Sequence, residues 1–87
     1  MYLIVVYDIE IDRVNKVHKF LRKFLFWRQN SVFEGEVTKA QIEQIKIGLN
    51  EIIKKEKDSV LIYVLDNKSS FKFEVLGIEK NMIETIL

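Results

Sequence analysis

The chain has 87 residues, of which 48% are hydrophobic and 31% are charged, and it contains neither cysteine nor proline. This balance indicates one globular domain, and the missing cysteines exclude disulfides, thiolate metal sites and cysteine nucleophiles and favour a cytoplasmic location. The uncharged runs fall far short of the roughly 20 residues of a membrane helix, no signal-peptide pattern is present, and the net charge of +1 excludes no partner by itself.

The first predicted element is a strand over residues 1–7, with the sequence MYLIVVY. Its near-continuous apolar run, with β-branched and aromatic members, is typical of a strand that is buried on both faces. Alternation places Tyr2, Ile4, Val6 and Asp8 on one face. Asp8 closes this strand, and a carboxylate there either caps the turn into the next element or belongs to a functional site.

A helix is predicted over residues 12–25, with Asp12 as its N-cap. Its apolar residues recur at helical spacing: Val14, Val17, Leu21, Phe24 and Leu25. From Arg13 to Arg28 there are six Lys or Arg residues and no acid. A solvated helix face would explain this pattern, but the complete exclusion of acids favours binding to a phosphate backbone. Five side chains are the predicted nucleic-acid contacts: Arg13, Lys16, Lys19, Lys23 and Arg28.

The segment FLFWRQNSVFEGEV predicts two short strands joined by a tight turn at residues 29–31. Gly35, late in the second of them, suggests a bulge or the close approach of another group. Thr38 and Gln41 have the spacing of a capping box and begin a second amphipathic helix, predicted to end near residue 54. The apolar segment SVLIYVL then predicts a strand, which Asp66 closes.

This order of elements predicts an α+β, ferredoxin-like βαββαβ fold, an antiparallel sheet with two helices on one face. Its last strand lies at a sheet edge, although SVLIYVL has the composition of a strand buried on both faces, and an apolar edge needs a cover. The alternating segment 71–77, FKFEVLG, is interpreted as an extra strand that covers an exposed edge, in this chain or in a partner molecule. We therefore predict one domain, with residues 1–66 as its core and 67–87 as a C-terminal extension whose final residues, 78–87, are either a short helix or extended.

Two motifs resemble those of one family. Tyr7, Asp8 and Ile9 close the first strand in its pattern, and residues 29–35, QNSVFEG, match its Gln-x-Ser-Val-Phe-Glu block followed by a small residue. The chain resembles the small CRISPR-associated adaptation proteins, known as CRISPR-associated endoribonucleases, over essentially its whole length. The resemblance implies a homodimer with exchanged C-terminal strands, a Mg²⁺ ion held between the subunits by Asp8, and two partners, the CRISPR integrase and duplex DNA.

A metal at paired Asp8 residues is physically coherent. Two carboxylates brought close across a twofold axis repel each other, and a divalent cation removes this conflict. Magnesium commonly binds one or two carboxylates and several waters, and such a site can hydrolyse phosphodiesters. One carboxylate per chain is too few, so the site requires the dimer or help from Glu10, Asp12 or Asp66.

Three functions are considered. The first, which the resemblance implies, is a CRISPR adaptation subunit that bridges the integrase and binds the duplex DNA backbone, with a Mg²⁺-dependent endonuclease activity at Asp8 on DNA or single-stranded RNA. The second is a ribonuclease toxin of the virulence-associated D type, and the third is a non-enzymatic ferredoxin-like binding dimer. A Ser31 nucleophile is not predicted, because the only histidine, His18, lies beside the apolar stripe of the first helix and is interpreted as a packed or surface residue.

Overall fold

The computed structural model describes residues 1–70 and 72–80 of a single chain. Four strands and two helices follow one another: β1 (Tyr2–Asp8), α1 (Ile11–Leu21), β2 (Phe26–Gln29), β3 (Val32–Glu36), α2 (Lys39–Ile52) and β4 (Ser59–Leu65), with a short 3-10 helix at Lys68–Ser70. The strands form one antiparallel sheet in the order β2-β3-β1-β4. The ferredoxin-like α+β prediction is therefore confirmed, and β4 lies at the edge where it was expected.

The core lies between one face of the sheet and the two helices. The inward side chains of β1 alternate as Leu3, Val5 and Tyr7, and Phe33 of β3 lies beside them. The helices contribute apolar stripes to the same cluster: Val17 and Leu21 from α1, and Ile42, Ile45 and Leu49 from α2. The other sheet face, which we call the open face, is only partly covered in the single chain: Tyr2 and Glu34 are buried there, whereas Asp8, Leu61 and Tyr63 are exposed.

The limits of α1 differ from the prediction. The N-cap is Glu10 rather than Asp12, and the helix ends at Leu21 rather than residue 25. The first difference arises because the Asp12 carboxylate binds the Arg13 guanidinium at 3.1 Å and no backbone N–H. The second arises because the chain must turn within residues 22–25 to enter β2, while the Leu25 side chain still reaches the core.

The tight turn, the capping box and the close approach at Gly35 that were predicted between α1 and α2 are confirmed. Asn30 takes a positive φ of 44° in the tight turn between β2 and β3. Thr38 and Gln41 form the capping box, with the Gln41 N–H donating to Thr38 Oγ1 at 3.1 Å and the Thr38 N–H donating to Gln41 Oε1 at 3.0 Å. Gly35 marks a close approach, since a Cβ there would lie 3.3 Å from Leu25 Cδ2. The bulge lies instead in β2, between Trp27 and Gln29.

Strand β4 is exposed at the sheet edge of the single chain. No residue of this strand is fully buried, and Leu61 and Tyr63 on the open face are each about half exposed. The strand is apolar on both sides, yet in this chain it is Val60 and Ile62 on its inner side that pack against the core. Its composition therefore fits a surface that is covered by something other than the described residues of its own chain.

The predicted extra strand is not part of this sheet. Residues 72–76 have no strand assignment, and Phe73 instead lies under the Arg28 guanidinium of β2, 3.9 Å from the ring centroid. Phe71 and residues 81–87 lie outside the described residues. The exchange of this segment between two chains remains a prediction.

Gly48 on α2 allows the close packing of the two helices. A Cβ built at this position would overlap the ring of Phe20 on α1, and that ring is also in edge contact with Phe24 at 5.5 Å. We expect Gly48→Ala to destabilise the protein by about 1 kcal/mol, because overpacking of about 1–3 kcal/mol exceeds the helix propensity of about 1 kcal/mol that Ala gains over Gly.

Urea denaturation of a double-mutant cycle checks this prediction. In a Phe20→Ala background the overlap is absent, so the same Gly48→Ala change should become stabilising by about 1 kcal/mol. A destabilising effect of equal size in both backgrounds would show that Phe20 is not the reason for the glycine.

Candidate functional site

Asp8 lies at an end of the sheet that only two strands form. β1 pairs with β3 from Tyr2 to Val6, and the Tyr7 N–H still donates to the Ser31 carbonyl at 3.1 Å. Asp8 itself pairs only with Ser59, the first residue of β4. Its side chain is exposed and makes no hydrogen bond or ion pair with the described part of the chain. The carboxylate is thus available to a ligand.

The structure does not support Asp8 as a helix cap. The N-cap of α1 is Glu10, whose side chain makes no capping hydrogen bond. The Glu10 carbonyl accepts the N–H groups of Arg13 and Val14, and the Glu10 N–H donates to Asp58 Oδ1 at 3.0 Å. The backbone N–H and carbonyl of Glu10 are therefore satisfied without Asp8.

The other acids named from the sequence do not assist Asp8 within one chain. Glu10 and Asp12 bind the Arg13 guanidinium at 3.2 and 3.1 Å. Asp66 follows β4 at the opposite end of the sheet, where Leu65 pairs with Tyr2. Within residues 1–70 and 72–80, no three His, Cys, Asp or Glu side chains are grouped to hold a metal ion. A free carboxylate on a strand end suits Mg²⁺, which binds few carboxylates and several waters, but one chain supplies only one.

Arg13 occupies a different place from the one predicted. Its guanidinium is turned inward, where Nε and Nη2 donate to the Asp58 carboxylate at 2.6 and 2.8 Å, and the Asp58 side chain has no exposed area. The hydrogen bond from Arg13 holds the pKa of Asp58 well below its usual range, and the same bond raises the pKa of Arg13. Arg13 therefore makes a buried ion pair and is not positioned to contact a phosphate backbone.

Arg28 is also part of an internal cluster. Its guanidinium lies 2.7 Å from the Glu79 carboxylate and 3.7 Å from that of Glu34, and it covers the Phe73 ring. The Tyr2 hydroxyl donates to Glu34 at 2.6 Å, and burial, followed by this hydrogen bond, raises the pKa of Tyr2. Because two carboxylates and a ring surround Arg28, the structure gives no support to its predicted role as a nucleic-acid contact.

The lysines of the basic segment remain available. Lys16 and Lys19 lie on α1 and Lys23 follows it, and all three are exposed. None of them forms an ion pair with the described residues, so their charge is not neutralised by a neighbouring acid. The predicted phosphate-binding face is thereby reduced from five side chains to these three.

His18 is a packing residue. Its ring makes edge contacts with Phe33 at 5.1 Å and Trp27 at 5.6 Å between centroids. Burial, assisted by the nearby Arg22 charge, lowers its pKa, which favours the neutral form. These contacts agree with the interpretation of His18 as packed, and Trp27 is anchored by donation from Nε1 to the Asn30 carbonyl at 2.9 Å.

Asp58 is the residue that sequence reasoning missed. It directly precedes β4 and so mirrors Asp8, which ends β1. The sequence shows an acid before an apolar strand but not its partner Arg13, which is 45 positions away. Only the antiparallel pairing of β1 with β4 brings the two together.

Comparisons with known proteins agree on one family. The model of the CRISPR associated protein Cas2 family matches residues 1–73. Proteins named CRISPR-associated endoribonuclease Cas2 are 60% identical in Pyrococcus furiosus and 59% identical in Thermococcus kodakarensis, and in both cases 100% of each chain is covered.

Solved structures give the same result. A crystal structure of Cas2 has a TM-score of 0.87 and 52% identity, covering 100% of this chain and 98% of the other. Streptococcus pyogenes Cas2 has a TM-score of 0.78 and 34% identity over 88% of this chain and 100% of its own. Among the residues that the structure describes, no helix is long and apolar enough to cross a membrane.

Proposed function

The chain belongs to the Cas2 family of CRISPR-associated proteins, and from this premise we propose that it is a nuclease that cleaves phosphodiester bonds with Mg²⁺ held at paired Asp8 residues of a homodimer. The single observation that carries the proposal is the unpartnered Asp8 carboxylate on a two-stranded sheet end. The endoribonuclease names of the relatives support cleavage of RNA. Family membership favours this function over the toxin and the non-enzymatic dimer.

A homodimer is proposed because one chain leaves both the site and the sheet incomplete. The open face carries Leu61 and Tyr63 on the edge strand and Phe26 on the opposite edge, each about half exposed. Apolar surface of this kind on a small domain is typical of an interface. A twofold arrangement through this face would supply the second Asp8 that a metal site needs.

The residues of the chain have limited chemical roles in this proposal. When bound, Mg²⁺ would polarise phosphate oxygens and activate a water molecule. The two Asp8 carboxylates would hold the ion, and their mutual repulsion in its absence favours binding. His18 is given no proton-transfer role in this proposal, because its ring packs against Trp27 and Phe33.

We also propose a role in CRISPR adaptation, in which the dimer bridges the CRISPR integrase and binds duplex DNA through its backbone. The support is the exposed set of Lys16, Lys19 and Lys23, whose charges have no partner in the described chain. Lysines bind phosphates as point charges and do not read bases. We place this function in the cytoplasm, which suits a chain without cysteine.

Cleavage by the wild-type protein tests the nuclease proposal. End-labelled single-stranded RNA and duplex DNA are incubated with metal-free protein, with added Mg²⁺, and with Mg²⁺ plus excess chelator. We expect cleavage of at least one substrate only when free Mg²⁺ is present. Cleavage that persists in chelator, or no cleavage of either substrate by a dimeric preparation, would contradict the proposal.

Charge reversal tests the DNA-binding face. The triple variant Lys16→Glu, Lys19→Glu and Lys23→Glu should weaken duplex binding by about a hundredfold or more at ~0.1 M salt, because each lost phosphate contact removes counterion release. The slope of log K against log salt should fall by about 0.9 per lost contact. Fluorescence anisotropy on two duplexes of unrelated sequence measures both quantities.

A charge-matched variant controls for net charge. Lys39, Lys46 and Lys72 lie outside the basic segment, and their replacement by Glu changes the charge equally. An equal loss of binding in both triple variants would show that overall charge, rather than the face at Lys16, Lys19 and Lys23, attracts the duplex.

A further inference from the structure

The end of the sheet at Asp8 has little support from the sheet itself. β3 pairs with β1 as far as Val6, and the Tyr7 N–H adds one bond to the Ser31 carbonyl, so among the described residues β4 is the only strand beside Asp8. Beyond the Asp8–Ser59 pair the chain leaves the sheet on both strands. β1 continues into α1, and β4 is preceded by the loop that follows α2. With a single neighbouring strand at this end, contacts from outside the sheet contribute to fixing the position of Asp8.

The Asp58 carboxylate joins the segments that leave this sheet end. Oδ1 accepts the Glu10 N–H at 3.0 Å and Arg13 Nη2 at 2.8 Å. Oδ2 accepts Arg13 Nε at 2.6 Å and the Lys54 N–H at 2.9 Å. These four bonds tie the β1–α1 turn, helix α1 and the α2–β4 loop to one buried group. Asp58 lies next to Ser59, which pairs with Asp8.

We propose that Asp58, held by Arg13, is a positioning residue for Asp8: it closes the sheet end so that the two Asp8 carboxylates of the homodimer meet at metal-binding distance. This inference rests on the proposed function. Mg²⁺ requires near-ideal geometry at about 2.0–2.1 Å from its ligands, so a small displacement of each strand end weakens the site. Asp58 has no exposed area and therefore acts through the backbone rather than as a ligand.

Magnesium binding measured directly tests this role without relying on activity. Isothermal titration calorimetry with Mg²⁺ compares the metal-free wild-type protein with Asp58→Asn, which keeps the size but loses the charge and one acceptor oxygen. We expect the Kd for Mg²⁺ to rise by about tenfold or more, as is usual when a group that orients a metal ligand is removed. In the cleavage assay kcat should fall while KM for RNA stays the same.

A core variant separates positioning from general stability. Ile45 and Leu49 lie in the core on α2. Of the two variants Ile45→Val and Leu49→Ala, the one whose melting temperature matches that of Asp58→Asn serves as the control. Should Asp58→Asn fail to fold, Arg13→Lys, which keeps the charge but cannot make both bonds to the carboxylate, takes its place, with the same expected direction. Mg²⁺ affinity equal to that of the stability-matched control would overturn the positioning role.

The two proposals fail differently. If Asp8→Asn binds Mg²⁺ as tightly as the wild type, the metal site itself is elsewhere and the proposed function fails. If Asp8→Asn loses Mg²⁺ binding while Asp58→Asn retains it, the proposed function stands and only the positioning role is rejected.

Discussion

Replacing Asp8 with Asn is expected to reduce Mg²⁺-dependent cleavage on the order of a hundredfold or more, because the variant lacks the charge that holds the cation at the reacting phosphate. The melting temperature should change little in the metal-free protein, since the Asp8 carboxylate has no partner in the described chain. Initial rates at saturating substrate and increasing Mg²⁺ measure the effect. Duplex binding should be retained, because the exposed lysines are unchanged.

Asp66→Asn is the matched control. Asp66 directly follows β4 and is exposed, as Asp8 is at the end of β1, but it lies at the opposite end of the sheet. Its variant should cleave at the wild-type rate. Equal rates for Asp8→Asn and the wild type would remove Asp8 from the reaction, and equal losses in both variants would point to overall charge rather than to one site.

Local patterns predicted most of the fold. The capping box at Thr38, the turn at Asn30 and the helical spacing of apolar residues depend on neighbours within a few positions, and the structure confirms each of them. The limits of α1 were harder to predict because they depend on long-range contacts. The start of α1 is fixed partly by Asp58, which accepts the Glu10 N–H from 48 positions away.

Strand β4 shows a different limit of sequence reasoning. Composition reports whether a segment avoids water, not which molecule covers it. SVLIYVL has the composition of a buried strand, yet Leu61 and Tyr63 are about half exposed in one chain. An apolar edge therefore indicates that a cover is needed, which agrees with the homodimer that the family resemblance implies.

The basic segment shows why residue type alone does not define a binding face. Arg13 and Lys16 stand on the same predicted helix, and charge counting treats them alike. In the structure Arg13 is buried against Asp58, whereas Lys16 is exposed. The planar guanidinium with several donors suits a two-oxygen carboxylate, so an arginine near a helix start is the cation more suited to an internal ion pair.

Arg13→Met is expected to lower the melting temperature at pH 7 by more than about 10 °C, a large change for a domain of this size. The substitution leaves the Asp58 carboxylate buried without its charged partner, which is the costly way to break an ion pair. Differential scanning calorimetry against Arg22→Met, an exposed arginine at the end of the same helix, measures the difference. The control should melt within a few degrees of the wild type.

The difference in melting temperature between the wild type and Arg13→Met should depend on pH, and this dependence identifies Asp58 as the cause of the difference. Arg13 lowers the pKa of Asp58 in the folded protein below its unfolded value, so the stabilisation is fully present above the unfolded pKa of about 4. It is lost as the pH falls through the lower, folded pKa. The melting temperatures of wild type and Arg13→Met should therefore converge between pH 4 and strongly acidic solution. A gap that stays constant down to about pH 2 would assign the effect of Arg13 to packing of its aliphatic stem instead of its charge.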